Sequence, residues 1–306
     1  MLKLNADQKH PMPDWGVEWT LAEQLGDDPA KHTEFWEARG REWARLLKES
    51  FGPDYTWYES AHFWLICGQK RETGQRLLGW TEQVYARLIK ALGEIARPLV
   101  LRVPVIVTSN QDEYYSYVCP FYPDGEHATT GGIYLNAGYG HFVFCYQDLN
   151  AAESVIAHEL THALLDGLPI PLWLNEGVAQ LAEISVTGRH YTRTDEILET
   201  IDTFWSSQTI QEFWDGRSFG RPDEGQLQSY HLALVITRKL TGDIERFRRF
   251  VLAANAADAG ESALVSTFGF GLADLVGDYL GDGNWKPNFP NPVPGASSCG
   301  RQHGPR

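Results

Sequence analysis

Hydrophobic positions along the chain change their rhythm near residue 150. From Lys31 to Lys48, Phe35, Trp36, Trp43, Leu46 and Leu47 recur at helical spacing and predict a helix. Residues 61–67 (AHFWLIC) form a short apolar run closed by Gly68, the signature of a buried strand. Gln75 to Ile95 places Leu77, Leu78, Val84, Leu88, Ile89 and Leu92 on one broad face, an amphipathic helix ended by Pro98. The β-branched run in PLVLRVPVIVTS suits a strand, with Pro104 pointing to an edge or a bulge. Residues 131–136 and 141–146 predict a hairpin around Ala137-Gly138-Tyr139-Gly140. Beyond that point the pattern is helical: 151–166, 172–187 and 226–240, with further helices in 243–256 and 261–280.

The expected architecture is therefore α+β, a mixed α/β lobe with a sheet ending in an edge strand, followed by a mainly helical lobe. Residues 1–60 read as an N-terminal extension that starts as an irregular arm and holds one helix. Residues 61–286 read as the main domain, divided into 61–149 and 150–286. Residues 287–306 carry five prolines and little apolar matter, and read as a flexible tail.

Composition narrows the picture. Asp plus Glu total 40 against 26 Lys plus Arg, a net charge of −14, which disfavours binding to phosphate backbones. No apolar run long enough to span a membrane is present, and the N-terminus lacks an apolar signal core, so a cytoplasmic protein is expected. The four cysteines form no C-x-x-C pair, although Cys119 and Cys145 are placed where a sheet could bring them together. The 11 Trp, 13 Tyr and 14 Phe mostly fall on predicted apolar faces; Trp205 and Trp214 are candidates for apolar walls of a substrate groove.

The chemistry concentrates in NAAESVIAHELTHALLDGLPIPLWLNEGVAQLAEI. Asn150 and Glu153 have capping-box spacing, and Gly167 and Pro169 stand where the helix should stop. Inside lies His158-Glu159-Leu160-Thr161-His162, an H-E-x-x-H motif. Two histidines four apart share a helix face and can bind one zinc ion, while Glu159, offset by one residue, is placed as a general base for an attacking water. A third ligand is required. The positions that would carry the metzincin Gly and His are Leu165 and Leu168, which excludes that class. Glu176, at the opening of the next apolar helix, is the remaining candidate, with Gly177 beside it permitting close helix contact.

HELTHALL followed by PLWLNEGVAQ resembles the gluzincin zinc metallopeptidases with a W-L-x-E-G second helix. The resemblance is strong over 150–187 and weaker over 61–147. It implies His158, His162 and Glu176 as metal ligands, Glu159 as catalytic base, Zn²⁺ as cofactor and a peptide or protein as substrate. It also implies a Tyr at the start of a later helix as oxyanion donor. Tyr230 is that candidate, with His231 as the alternative and Tyr191 as a weaker contender. One departure is plain: many gluzincins carry Asp four residues after the Glu ligand, as a partner for a metal-bound His, and this chain has Gln180 there. Glu183 or Asp166 are the candidate substitutes. His127 and His141 are read as surface or sheet residues. No nucleic-acid or membrane partner is expected, and oligomeric state is left open. Two rival functions remain: a zinc hydrolase of a non-peptide amide or ester, and a non-catalytic protein stabilised by its metal.

Overall fold

The computed structural model describes residues 2–5, 8–121, 131–189, 200–201 and 203–288. Tyr191, His127, Cys299 and residues 289–306 lie outside the described residues.

The fold is α+β. Five strands form one mixed sheet in the order β1-β2-β3-β5-β4: β1 (Thr56–Glu59), β2 (Phe63–Cys67), β3 (Val103–Thr108), β4 (Gly132–Leu135) and β5 (His141–Cys145). The central β2, β3 and β5 run parallel, and the two edge strands β1 and β4 run antiparallel to their neighbours. The side-chain period of two sorts this sheet onto two cores. Phe63, Leu65, Val105, Val107, Phe142 and Phe144 join one hydrophobic cluster. Trp64, Ile66, Ile106 and Val143 join the other.

The second face is covered by N-terminal helices. These are α1 (Trp15–Glu23), α2 (Pro29–Phe51) and the later α4 (Gln111–Val118). Here the expectation of an irregular arm over residues 1–29 is corrected. Asp14 caps α1 by accepting from the Val17 N–H, Trp15 packs edge-on against Trp43, and Glu18 pairs with Arg39 at 2.9 Å. The boundary at residue 60 falls inside the β1–β2 hairpin, so the first 60 residues supply an edge strand and, together with α4, cover the second face of the sheet. Gly138 in the β4–β5 turn has φ +88°, and a Cβ there would lie 2.0 Å from Trp15, so the turn must be glycine for this layer to close.

Pro104 is not at an edge. It lies in β3, the central strand. The Val103 N–H donates to His62 O at 2.9 Å, so Val103 faces β2 and Pro104 faces the β5 side. Pairing with β5 begins only at Val105, one residue later, so the missing N–H of Pro104 has no ladder bond to lose.

The first face carries α3 (Arg71–Leu92) and α5 (Leu149–Leu165), and the rest of the helices build outward from α5: α6 (Leu172–Thr187), α7 (Thr209–Trp214), α8 (Glu224–Leu240), α9 (Ile244–Ala253), α10 (Glu261–Phe268) and α11 (Leu272–Leu280). One hydrophobic cluster runs from this sheet face through α5 and α6 to α11, so the boundary at 149 does not separate two cores. The predicted helix 261–280 is broken at Gly269-Phe270-Gly271, where α10 and α11 meet at 85°. No single helix among the described residues is long and apolar enough to cross a membrane. Arg248, grouped in the sequence with Arg246 and Arg249, packs inward: its guanidinium donates to Leu92 O at 3.2 Å and Ala91 O at 3.0 Å, satisfying carbonyls at the end of α3. Cys67 and Cys145 are free thiols, so the Cys119–Cys145 disulfide does not form.

Candidate metal centre

Helix α5 starts two residues earlier than the capping-box expectation. Its N-cap is Asp148, whose carboxylate accepts from the Asn150 and Ala151 N–H groups at 2.7 and 2.9 Å. Asn150 and Glu153 serve another purpose. Arg189, just past the Gly188 C-cap of α6, reaches across to Glu153 Oε2 at 3.1 Å, Ser154 Oγ at 2.7 Å, Asn150 Oδ1 at 3.2 Å and the Asn150 carbonyl. The start of α5 is thereby tied to the end of α6. Pro169 and Pro171 turn the chain between the two helices, and they run antiparallel with His158 and His162 facing Glu176.

The three predicted ligands converge. One donor atom from each of His158, His162 and Glu176 lies within 4.8 Å of the others. Glu176 Oε2 is 3.3 Å from His158 Nε2 and 3.6 Å from His162 Nε2. That oxygen is fully buried and has no hydrogen-bond partner, an expensive state for a carboxylate. The opposite ring nitrogens are both engaged. His162 Nδ1 lies 2.5 Å from Asn175 Oδ1, and His158 Nδ1 lies 3.4 Å from Glu183 Oε2. Acceptors at both Nδ1 atoms hold the protons there, which leaves the Nε2 lone pairs directed at the point shared with Glu176. The side chains are 10–17% exposed, so the site is desolvated yet reachable.

Electrostatics give the same answer. Burial disfavours a charged His158, yet the carboxylates of Glu176 and Glu183 beside it overcome this and hold the imidazole well above its ordinary value. Burial raises a carboxylate, but the two histidines reverse this for Glu176 and hold it below the usual range. The group draws positive charge, in the form of protons when no cation is bound. Two imidazole nitrogens, one carboxylate oxygen and a buried unsatisfied lone pair fit a divalent zinc ion.

Glu159 is buried, and that burial raises its carboxyl above the ordinary value. It accepts a hydrogen bond from the backbone N–H of Tyr134 in β4. The edge strand β4 therefore lies beside the helix. Gly132 makes the approach close enough, since a Cβ there would lie 2.4 Å from Val155. Val155 and Glu159 sit one turn apart on α5, Gly132 and Tyr134 two residues apart on β4. Both steps advance about 6 Å, so helix and strand stay in step.

The remaining candidates take different places. Tyr230 is half-buried on α8, its ring edge-on to Phe219 at 5.3 Å, and its carbonyl accepts from Gln180 Nε2 at 3.0 Å. His231 is buried on another side of α8, with Nε2 2.6 Å from the Tyr279 hydroxyl of α11. Gln180 spends its amide on the carbonyls of Tyr230 and Glu176. Asp166 accepts from Asn136 Nδ2 at 2.8 and 3.0 Å. Trp205 and Trp214 are core residues, not groove walls: Trp214 stacks edge-on with Trp173 and donates to Trp285 O. His141 is wholly buried in the sheet, between Tyr139 O and the Tyr117 hydroxyl. Gly177 does permit close helix contact, and its neighbour is α8: a Cβ would sit 2.0 Å from Thr237 Oγ1.

Two residues that hold the site, Asn175 and Arg189, are not evident from the sequence pattern. Asn175 stands next to Glu176 in W-L-N-E-G, and its place in the helical period is the available signal. No protein-family model matches the chain, and no curated protein matches it.

Proposed function

We propose that this protein is a zinc-dependent hydrolase of peptide bonds, with His158, His162 and Glu176 holding the metal. The observation that carries the reading is the buried, unpartnered Glu176 Oε2 facing the two Nε2 atoms, whose rings are held from behind. When bound, zinc supplies a Lewis acid that polarises the substrate carbonyl and acidifies water.

The remaining work falls to the chain's own groups. Glu159 takes a proton from the attacking water and passes it to the departing amine nitrogen. Its burial makes it the stronger base for the first step, and the Tyr134 N–H fixes its orientation. Tyr230 is the proposed donor to the oxygen that gains charge on the substrate carbonyl. His231, held by Tyr279, is not given that role. The substrate is a peptide or protein, and the acidic surface disfavours nucleic acid.

The test measures bound zinc and peptide hydrolysis for the wild type and Glu159→Gln. One zinc per chain is expected in both, with hydrolysis reduced by about 100- to 10,000-fold in the variant. A wild type that takes up no zinc after loading overturns the metal assignment. A zinc-loaded wild type that cleaves esters or small amides but no peptide, or nothing at all, overturns the peptidase assignment.

A further inference from the structure

We infer that carboxylate support for His158 comes from Glu183, and that position 180 has been turned to a different task, holding α6 against α8. This rests on the zinc reading above and specifies how this chain tunes that site.

The helical wheel separates the two roles. With about 100° per residue, Glu183 is rotated about −20° from the ligand Glu176, Gln180 about +40°, and Gly177 about +100°. The Gly177 side faces α8, where Thr237 and Ala233 lie against it. Glu183 therefore remains in line with the ligand and faces α5, while Gln180 sits on the shoulder toward α8. The contacts follow this order. Glu183 Oε2 reaches His158 Nδ1 at 3.4 Å. Gln180 Nε2 reaches Tyr230 O at 3.0 Å and Glu176 O at 3.4 Å. An amide donor suits two carbonyls, whereas an Asp at 180 would present acceptors to acceptors. The residue type at 180 thus matches its contacts, and so does the carboxylate at 183.

Glu183 is accordingly a positioning residue. Its charge holds the Nδ1–H of His158 and makes Nε2 a better donor to the metal. Gln180 fixes the register between the helix bearing the ligand and the helix bearing Tyr230.

The experiment measures zinc affinity of the full chain by competition with a fluorescent chelator, for the wild type, Glu183→Gln, Glu183→Ala and Gln180→Met. Thermal midpoints of the metal-free proteins and cobalt(II) absorption spectra are recorded alongside. Zinc affinity should fall about 10-fold in Glu183→Gln and up to about 100-fold in Glu183→Ala. The cobalt bands should shift in both variants. Gln180→Met should lower the metal-free midpoint while leaving zinc affinity within about threefold of wild type. Wild-type affinity in both Glu183 variants, or a loss in Gln180→Met as large as in Glu183→Gln, overturns the assignment. A wild type that takes up no zinc instead overturns the reading on which it rests.

Discussion

His158 and His162 each present two ring nitrogens, and the protein uses both. One nitrogen meets Glu176; the other is held by a neighbour, Glu183 or Asn175. The same economy of donor and acceptor explains His141, which donates from Nδ1 to Tyr139 O and accepts at Nε2 from Tyr117. Burial pushes His141 down to about 4 from an ordinary 6.5. The unfolded chain therefore takes up a proton below pH 6.5 that the folded chain refuses until about pH 4. The stabilisation from His141 is complete above pH 6.5 and is lost as pH falls toward 4. By pH 5 the loss is about 2 kcal/mol. Urea unfolding of the wild type and His141→Gln at pH 7 and pH 5 checks this. The fall in stability between the two pH values should be about 2 kcal/mol smaller in the variant. Equal falls would show that His141 is not the group responsible.

At the scale of elements, the site is set by how closely α6 approaches its neighbours. Arg189 ties its end to the start of α5, and Gly177 lets α8 come within contact of its backbone. Gly177→Ala should cost about 1–3 kcal/mol, because the new methyl meets Thr237 Oγ1 at 2.0 Å and Ala233 O at 2.8 Å. Gly79→Ala, on the exposed side of α3 with nothing within 4 Å, should instead stabilise by up to about 1 kcal/mol. Denaturant melts of the two variants make the comparison. Equal effects would mean that helix propensity, and not the α6–α8 contact, governs both. Most elements are legible in the residues. The strands at 61–67, 131–136 and 141–146 and the helices around residues 31–48, 75–95 and 172–187 follow from periodicity alone. The helix α1 does not, because its apolar residues face an aromatic cluster drawn from Trp43, Trp36 and Tyr139, all distant in sequence.

For the whole molecule, α5 and α6, which carry the His158–His162–Glu176 group, both belong to the hydrophobic cluster that runs from the sheet to α11. Metal binding to the folded state alone should therefore stabilise the entire chain and not one helix pair. At free zinc a thousandfold above its dissociation constant, the gain is about 4 kcal/mol. Adding a strong chelator to zinc-loaded protein should lower the unfolding midpoint by several degrees, in a single transition. A midpoint indifferent to chelator would argue against a cation at the His158–His162–Glu176 group.

What the sequence determined by itself was local and periodic. The i, i+4 spacing places His158 and His162 on one face and Glu159 beside them, because helix geometry is the same in every fold. The convergence of Glu176 with this pair was legible through its neighbours in W-L-N-E-G. Tertiary structure decided everything that depends on two segments meeting. It gave Glu183 to His158 and Asn175 to His162, sent Gln180 to the carbonyl of Tyr230, and aimed the Tyr134 N–H at Glu159. It also laid the N-terminal 60 residues, together with α4, over one face of the sheet and withdrew Trp205 and Trp214 into the core. Those outcomes turn on rotations of a few tens of degrees about a helix axis and on the gaps that Gly132 and Gly177 open. Periodicity fixes which face a residue occupies, but the element that comes to lie against that face is chosen by packing.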